Sequence, residues 1–163
     1  ALDGEVTWSL WLKTAPGTVG RSVMVQGPAG AAHVQGNRSI AVEPSGAIML
    51  RAHSVAALAN FNSNMRVDDN EWHHVAVAIA FETNGANDTL KVCIDGDLGL
   101  GFETDSADIN QYGGAAGDFI VTLGARGTFY NGLLDDVAVF NRALSQEEMA
   151  GLAGRTDSFY RPF

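Results

Sequence analysis

The sequence predicts an all-β fold: a two-sheet antiparallel jelly-roll sandwich with one short C-terminal helix. Three observations carry this expectation. Short runs in which apolar residues alternate with period two recur along the whole chain, as strands of a sandwich require. Turn signals separate the runs, and 19 glycines against 4 prolines suit many tight turns. Only one segment, near the C-terminus, carries a helix start signal. At 163 residues the chain suits a single domain, residues 1–163 with 156–163 as a C-terminal tail, and can bury a real core.

The elements follow in order. Val6-Thr7-Trp8-Ser9-Leu10-Trp11-Leu12-Lys13 alternates, with Trp8, Leu10 and Leu12 on one side and Trp11 on the other. Arg21 to Gln26 is a short apolar run ended by Gly27-Pro28. Ser39 to Glu43 and Ala47 to Ala52 flank Pro44-Ser45-Gly46 and read as a hairpin. Trp72 to Phe81 is long and almost continuously apolar, the pattern of a strand at the centre of a sheet with both faces covered. Leu90 to Ile94 and Asp97 to Leu100 are joined by Asp95-Gly96, a strong hairpin signal because the turn needs positive φ. Phe119 to Gly124 and Leu133 to Phe140 complete the strands. Ser145-Gln146-Glu147-Glu148 reads as a capping box opening a helix that runs to about Leu152 and stops near Gly154. The tail from Thr156 to Phe163 is aromatic for a free end and is expected either to pack on the sheet or to lead to another domain.

Bulk properties exclude several function classes. Net charge is −9, which argues against nucleic acid and anionic membranes as partners. No run approaches the roughly 18 apolar residues of a membrane helix, so no membrane insertion is expected. The single cysteine, Cys93, rules out an intrachain disulfide framework. No signal peptide is visible at the N-terminus.

The most informative residues are Asp135 and Asp136, adjacent carboxylates at the start of an apolar strand. With regular alternation, Asp135 shares a face with Leu133, Val137 and Val139, and Asp136 shares one with Leu134, Ala138 and Phe140. Whichever face is buried, one carboxylate meets an apolar surface and needs a partner.

Three blocks, Glu71 to Val77, Leu90 to Gly96 and Gly132 to Ser145 with its helix, occur in an order and spacing that resembles the laminin G-like jelly-roll domains of the concanavalin A-like lectin/glucanase superfamily. The early strand from Thr7 to Lys13 looks like that family's Trp-bearing strand, so the likeness covers about residues 5 to 153. The resemblance implies a module of a secreted or cell-surface multidomain protein, binding a glycan or protein ligand and in many members holding a structural calcium ion. It implies Asp135 and Asp136 as calcium ligands, with Asp3 as a further one. Two departures are visible. Members usually carry another strand before the Trp strand, whereas only Ala1-Leu2-Asp3-Gly4 precede it here, and Cys93 stands where an aromatic residue is common.

Candidate binding residues are Trp11, on the face opposite Trp8, and the loop residues Phe129, Tyr130, Tyr112 and Arg126. Each has a plainer alternative: an inward-folded aromatic, or a solvated arginine. Trp8 and Trp72 are expected in the core. His73 and His74 point to opposite faces of a strand and cannot share a zinc ion. The enzyme reading is disfavoured. Glycoside hydrolysis needs two carboxylates about 5–10 Å apart across the bond. Glu103-Thr104-Asp105 lacks a final Glu, and Asp135 and Asp136 are expected to diverge. The expected function is a non-catalytic carbohydrate-binding or adhesive module. The alternatives are a protein-interaction or structural module of a larger surface protein and, behind both, an atypical glycoside hydrolase.

Overall fold

A computed structural model describes residues 5–17, 21–28, 38–53, 58–80, 88–106, 119–123, 125–126 and 128–154. The described strands are β1 (Val6–Thr14), β2 (Arg21–Pro28), β3 (Arg38–Val42), β4 (Ala47–His53), β5 (Leu58–Arg66), β6 (Trp72–Ala80), β7 (Asp88–Ile94), β8 (Asp97–Ser106), β9 (Phe119–Leu123), β10 (Ala125–Arg126), β11 (Thr128–Phe129) and β12 (Gly132–Phe140). They are followed by helix α1 (Gln146–Leu152). All pairings are antiparallel. One sheet runs β12-β1-β6-β7-β8, the other β5-β4-β3-β2-β9, and β10 and β11 form a small separate ribbon. This is the expected jelly-roll sandwich, with β6 at the centre of its sheet.

The core lies between the sheets. Trp8, Leu10 and Leu12 of β1, Val75, Val77 and Ile79 of β6, and Leu90, Val92 and Ile94 of β7 are fully buried. They meet Met24, Ile40, Val42, Ile48 and Leu50 of the other sheet. On one side β5 closes on β8 through Phe61 and Phe102, whose ring centroids are 5.7 Å apart. The hairpin turns form as their sequences predict: Gly46 takes φ +83°, and Asp95 and Gly96 take +51° and +73°.

The outer face of the first sheet is half covered by α1. Ala76, Ala78 and Cys93 are small enough to admit Leu144 and Met149, which are buried against them. Cys93 thus helps give the helix its seat. Thr7 ties this corner down: its hydroxyl donates to the Arg142 carbonyl (2.9 Å) and accepts from the Leu144 N–H (2.8 Å). The capping box is complete. The Glu148 N–H donates to Ser145 Oγ, and the Ser145 N–H donates to the Glu148 carboxylate.

β5 is absent from the expected strands, and β8 runs on to Ser106 rather than stopping at Leu100. The β5 sequence Leu-Ala-Asn-Phe-Asn-Ser-Asn-Met-Arg is rich in asparagine, which disfavours strands. Phe61, Ser63 and Met65 nevertheless turn inward while Asn60, Asn62, Asn64 and Arg66 are exposed. The alternation is that of an edge strand.

Candidate functional site

The end of the first sheet's outer face that α1 leaves uncovered holds an open depression of about 290 Å³ lined by Trp11, Trp72, Asp135 and Asp136. Sheet register brings these residues together. Trp11 of β1 stands opposite Asp135 of β12 on one side and His74 of β6 on the other. Trp72 lies two residues before His74 on β6, so it shares that face and sits diagonal to Trp11. Trp72 is 40% exposed, which corrects its assignment to the core; Trp8 is fully buried as expected.

The carboxylates are placed by a bulge. Ser9 pairs with Ala138 and Trp11 with Asp135, so Asp136 and Val137 together face the one intervening residue, Leu10. Asp136 takes φ +46°, and its N–H donates to Asp135 Oδ1 at 2.9 Å. The bulge corrects the expected alternation along this strand. Val139 pairs with the inward Trp8, and Phe140 pairs with the outward Thr7, so beyond the bulge the faces are exchanged. Asp135 therefore shares its face with Leu133, Ala138 and Phe140, not with Val137 and Val139. The two carboxylates do not diverge into core and solvent: both are exposed and both line the same depression.

Beneath the platform lies His74, 1% exposed, with Nε2 2.9 Å from Ser9 Oγ. Its ring meets that of Trp11 edge-on, with centroids 5.4 Å apart. Nδ1 has no partner among the described residues. Burial drives the His74 pKa from 6.5 down to about 4, with the charge of Asp95 opposing weakly, so the imidazole is neutral near pH 7. His73 points the other way and lies between two carboxylates, Nδ1 2.8 Å from Asp95 Oδ2 and Nε2 3.1 Å from Asp69 Oδ1. Burial pulls its pKa down, but the hydrogen bonds and charges of Asp95 and Asp69 outweigh that and raise it. The two histidines face apart, as their sequence positions predict.

Tyr130 is half-buried rather than projecting from a loop; its hydroxyl donates to the Lys13 carbonyl at 3.2 Å and burial raises its pKa. Phe129 and Arg126 lie in β11 and β10, and their side chains are outside those described. Asp3 and Tyr112 lie outside the described residues. Calcium takes six to eight oxygen ligands. Among the described residues no group of three or more Asp, Glu, His or Cys could hold a metal ion, and Asp135 already spends one oxygen on its neighbour's N–H. Of these side-chain types the described residues place two carboxylates at the depression, Asp135 and Asp136. Glu103 is paired with Lys91 at 3.0 Å.

Trp72 is the site residue that sequence reasoning misplaced. Its position at the first residue of β6, beyond the last core-facing position of the strand, is the signal that marks it as a rim residue.

A model of the Laminin_G_3 family, of the concanavalin A-like lectin/glucanases superfamily, matches residues 1–150. The chain belongs to this family. Among curated proteins nothing matches it significantly. Solved structures with this fold include domain 4 of AbnA, an extracellular GH43 arabinanase of Geobacillus stearothermophilus, in complex with arabinotriose. It is 20% identical with a TM-score of 0.63, covering 92% of this chain and 66% of that one. The IT-sialidase CBM40 of Ruminococcus gnavus aligns with a TM-score of 0.70 at 16% identity, covering 92% and 83% of the two chains. A SAP-like pentraxin of Limulus polyphemus aligns with a TM-score of 0.56 at 18% identity, covering 91% and 69%. At these identities the likeness is one of fold. Among the described residues no helix is long and apolar enough to cross a membrane.

Proposed function

We propose that this laminin G-like domain is a non-catalytic glycan-binding module of a secreted or cell-surface protein. Its ligand sits in the depression between Trp11, Trp72, Asp135 and Asp136. The observation that carries the reading is the conjunction of two tryptophan side chains with two exposed carboxylates on one face of a rigid sheet. An indole presents a flat apolar surface to the C–H face of a sugar ring, and a carboxylate accepts hydrogen bonds from its hydroxyls. Structures of the same fold hold arabinotriose, in the arabinanase domain, and sialyllactose, in the CBM40, which supports a glycan as ligand class.

The non-catalytic part of the reading rests on geometry. The two carboxylates are chain neighbours at one bulge and both exposed, so they lie on the same side of a bound sugar. Hydrolysis needs an acid and a base or nucleophile flanking the bond. A calcium ion at Asp135 and Asp136 belongs to the proposal only if residues beyond those described, Asp3 first among them, or backbone carbonyls and water complete its shell.

A glycan array probed with the wild-type domain and with Trp72→Ala, each with and without chelator, tests the proposal. Binding to at least one glycan, weakened about tenfold or more by Trp72→Ala, is the expected result. Absence of binding to any glycan sinks it, and hydrolysis of a bound glycan that Asp135→Asn or Asp136→Asn abolishes would replace it with an enzyme. One observation favours a second reading, a protein-binding edge. β12 is the outer strand of its sheet and exposes Leu133 (58%), Val137 and Val139. Concentration-dependent dimerisation or capture of an extended peptide, lost on Val139→Lys, would support that reading.

A further inference from the structure

We propose that the depression selects its glycan by charge, preferring sugars that carry a protonated amine over neutral sugars and refusing acidic ones. The inference rests on the glycan-binding reading and adds a ligand class to it. The described residues of the lining are two indoles and two carboxylates, with no cation among them. The nearest described basic side chain on this face is Lys13, cross-strand from Trp72 and Leu133 and outside the lining. Among the described residues, one lysine against two exposed carboxylates leaves this end of the sheet negative, and the chain as a whole carries −9.

Two physical effects then act in the same direction. An ammonium group is attracted by the negative face of an indole, most strongly by tryptophan among the aromatic residues. It is also attracted by each carboxylate, over a distance that salt screens. A uronic acid or sialic acid in the same position meets like charge. A neutral sugar keeps only stacking and hydroxyl hydrogen bonds. Asp136 contributes because of the bulge: its positive φ, tolerated by aspartate, places a second carboxylate beside the first, where a regular strand would place it on the opposite face.

The test compares three tetrasaccharides by calorimetry at a pH below that of amine deprotonation: β1,4-linked glucosamine, its fully N-acetylated form, and oligogalacturonate. The first two share a backbone and differ in charge and acetylation. The expected order is cationic, then neutral, then anionic, with about tenfold between the first two at low salt and less at high salt. In Asp135→Asn/Asp136→Asn the cationic-to-neutral ratio should fall toward one; asparagine tolerates positive φ, so the bulge is retained. Equal affinities for the first two, an anionic ligand binding tightest, or a ratio unchanged in the double variant overturns charge selection. None of these outcomes touches glycan binding itself, which the array decides. A preference for the anionic ligand that appears with added calcium and vanishes with chelator would also overturn it, by showing that a bound ion has inverted the charge of the site.

Discussion

His74 makes the platform acid-labile, and the size of the effect follows from its burial. In the folded protein its pKa is pushed from 6.5 to about 4, and Nδ1, which carries an N–H whenever the ring is charged, has no partner among the described residues. The sign is that of a base whose folded pKa is depressed. Above pH 6.5 both states are neutral and nothing is lost. Below it the unfolded chain takes up a proton that the folded chain refuses, so stability falls at about 1.4 kcal/mol per pH unit. The gap of about 2.5 pH units makes the total loss by pH 4 about 3 kcal/mol, a large share of an ordinary domain's 5–15. Trp11 rests edge-on against this ring, so the loss should reach the face that carries the depression before or together with global unfolding.

The assay is urea denaturation of wild type and His74→Gln at intervals from pH 7 to pH 4. Glutamine keeps a polar group for Ser9 Oγ but cannot titrate. Carboxylates elsewhere also protonate in this range, and taking the difference between the two proteins removes their contribution. The expected difference moves in favour of the variant by about 3 kcal/mol as pH falls, whatever its value at pH 7. A difference that stays flat between pH 6.5 and 4 would refute the argument, because it would mean that the folded state accepts the proton at no cost.

The neighbouring histidine should behave in the opposite sense. His73 has a raised folded pKa, so its contribution is complete below pH 6.5 and is lost as pH rises through the raised value. His73→Gln should cost about 1–3 kcal/mol at pH 6, by leaving Asp69 and Asp95 without their shared cation, and clearly less at pH 9; melts at the two pH values check this, and a cost that grows with pH would contradict it. At the helix, Ser145→Ala removes the acceptor of the Glu148 N–H and should cost about 1 kcal/mol, lowering Tm by about 3 °C. An unchanged calorimetric Tm would show that the cap contributes nothing.

What was legible in the sequence follows from how many residues carried each signal. The strand from Trp72 announced its central place because seven of its nine residues repeat one message, apolar on both faces. The Ser145 capping box and the Asp95-Gly96 turn were legible because each motif satisfies its own backbone locally and needs no distant partner. β5 was not legible. Its three asparagines lower local strand preference, and what holds them in place is pairing with β4, a contact that sequence pattern does not contain. Trp72 was misplaced for a similar reason. Composition argues that tryptophan is core, but the strand's register puts this one at the rim of the outer face, past the cover of α1.

The bulge at Asp136 is the instructive case, since it was hidden by the pattern that made the strand recognisable. Leu133 and Leu134 lie before the pair and Val137, Ala138, Val139 and Phe140 after it, so both faces are apolar and an exchange of faces leaves no trace in the hydropathy. The carboxylates themselves hold the missing information. A regular strand would send Asp136 inward, beside Leu134 and the fully buried Leu10 and Leu12, where an unpaired charge costs several kcal/mol. One bulge avoids that cost. It places both carboxylates on the open face and returns Val139 to the side of Trp8. Aspartate is among the few residues that accept the positive φ this requires, and the Asp135 carboxylate takes up the N–H that the bulge frees. The same avoidance of a buried charge therefore fixes the register of β12 and brings two carboxylates beside two tryptophans, so the site is a consequence of how the strand solves its folding problem.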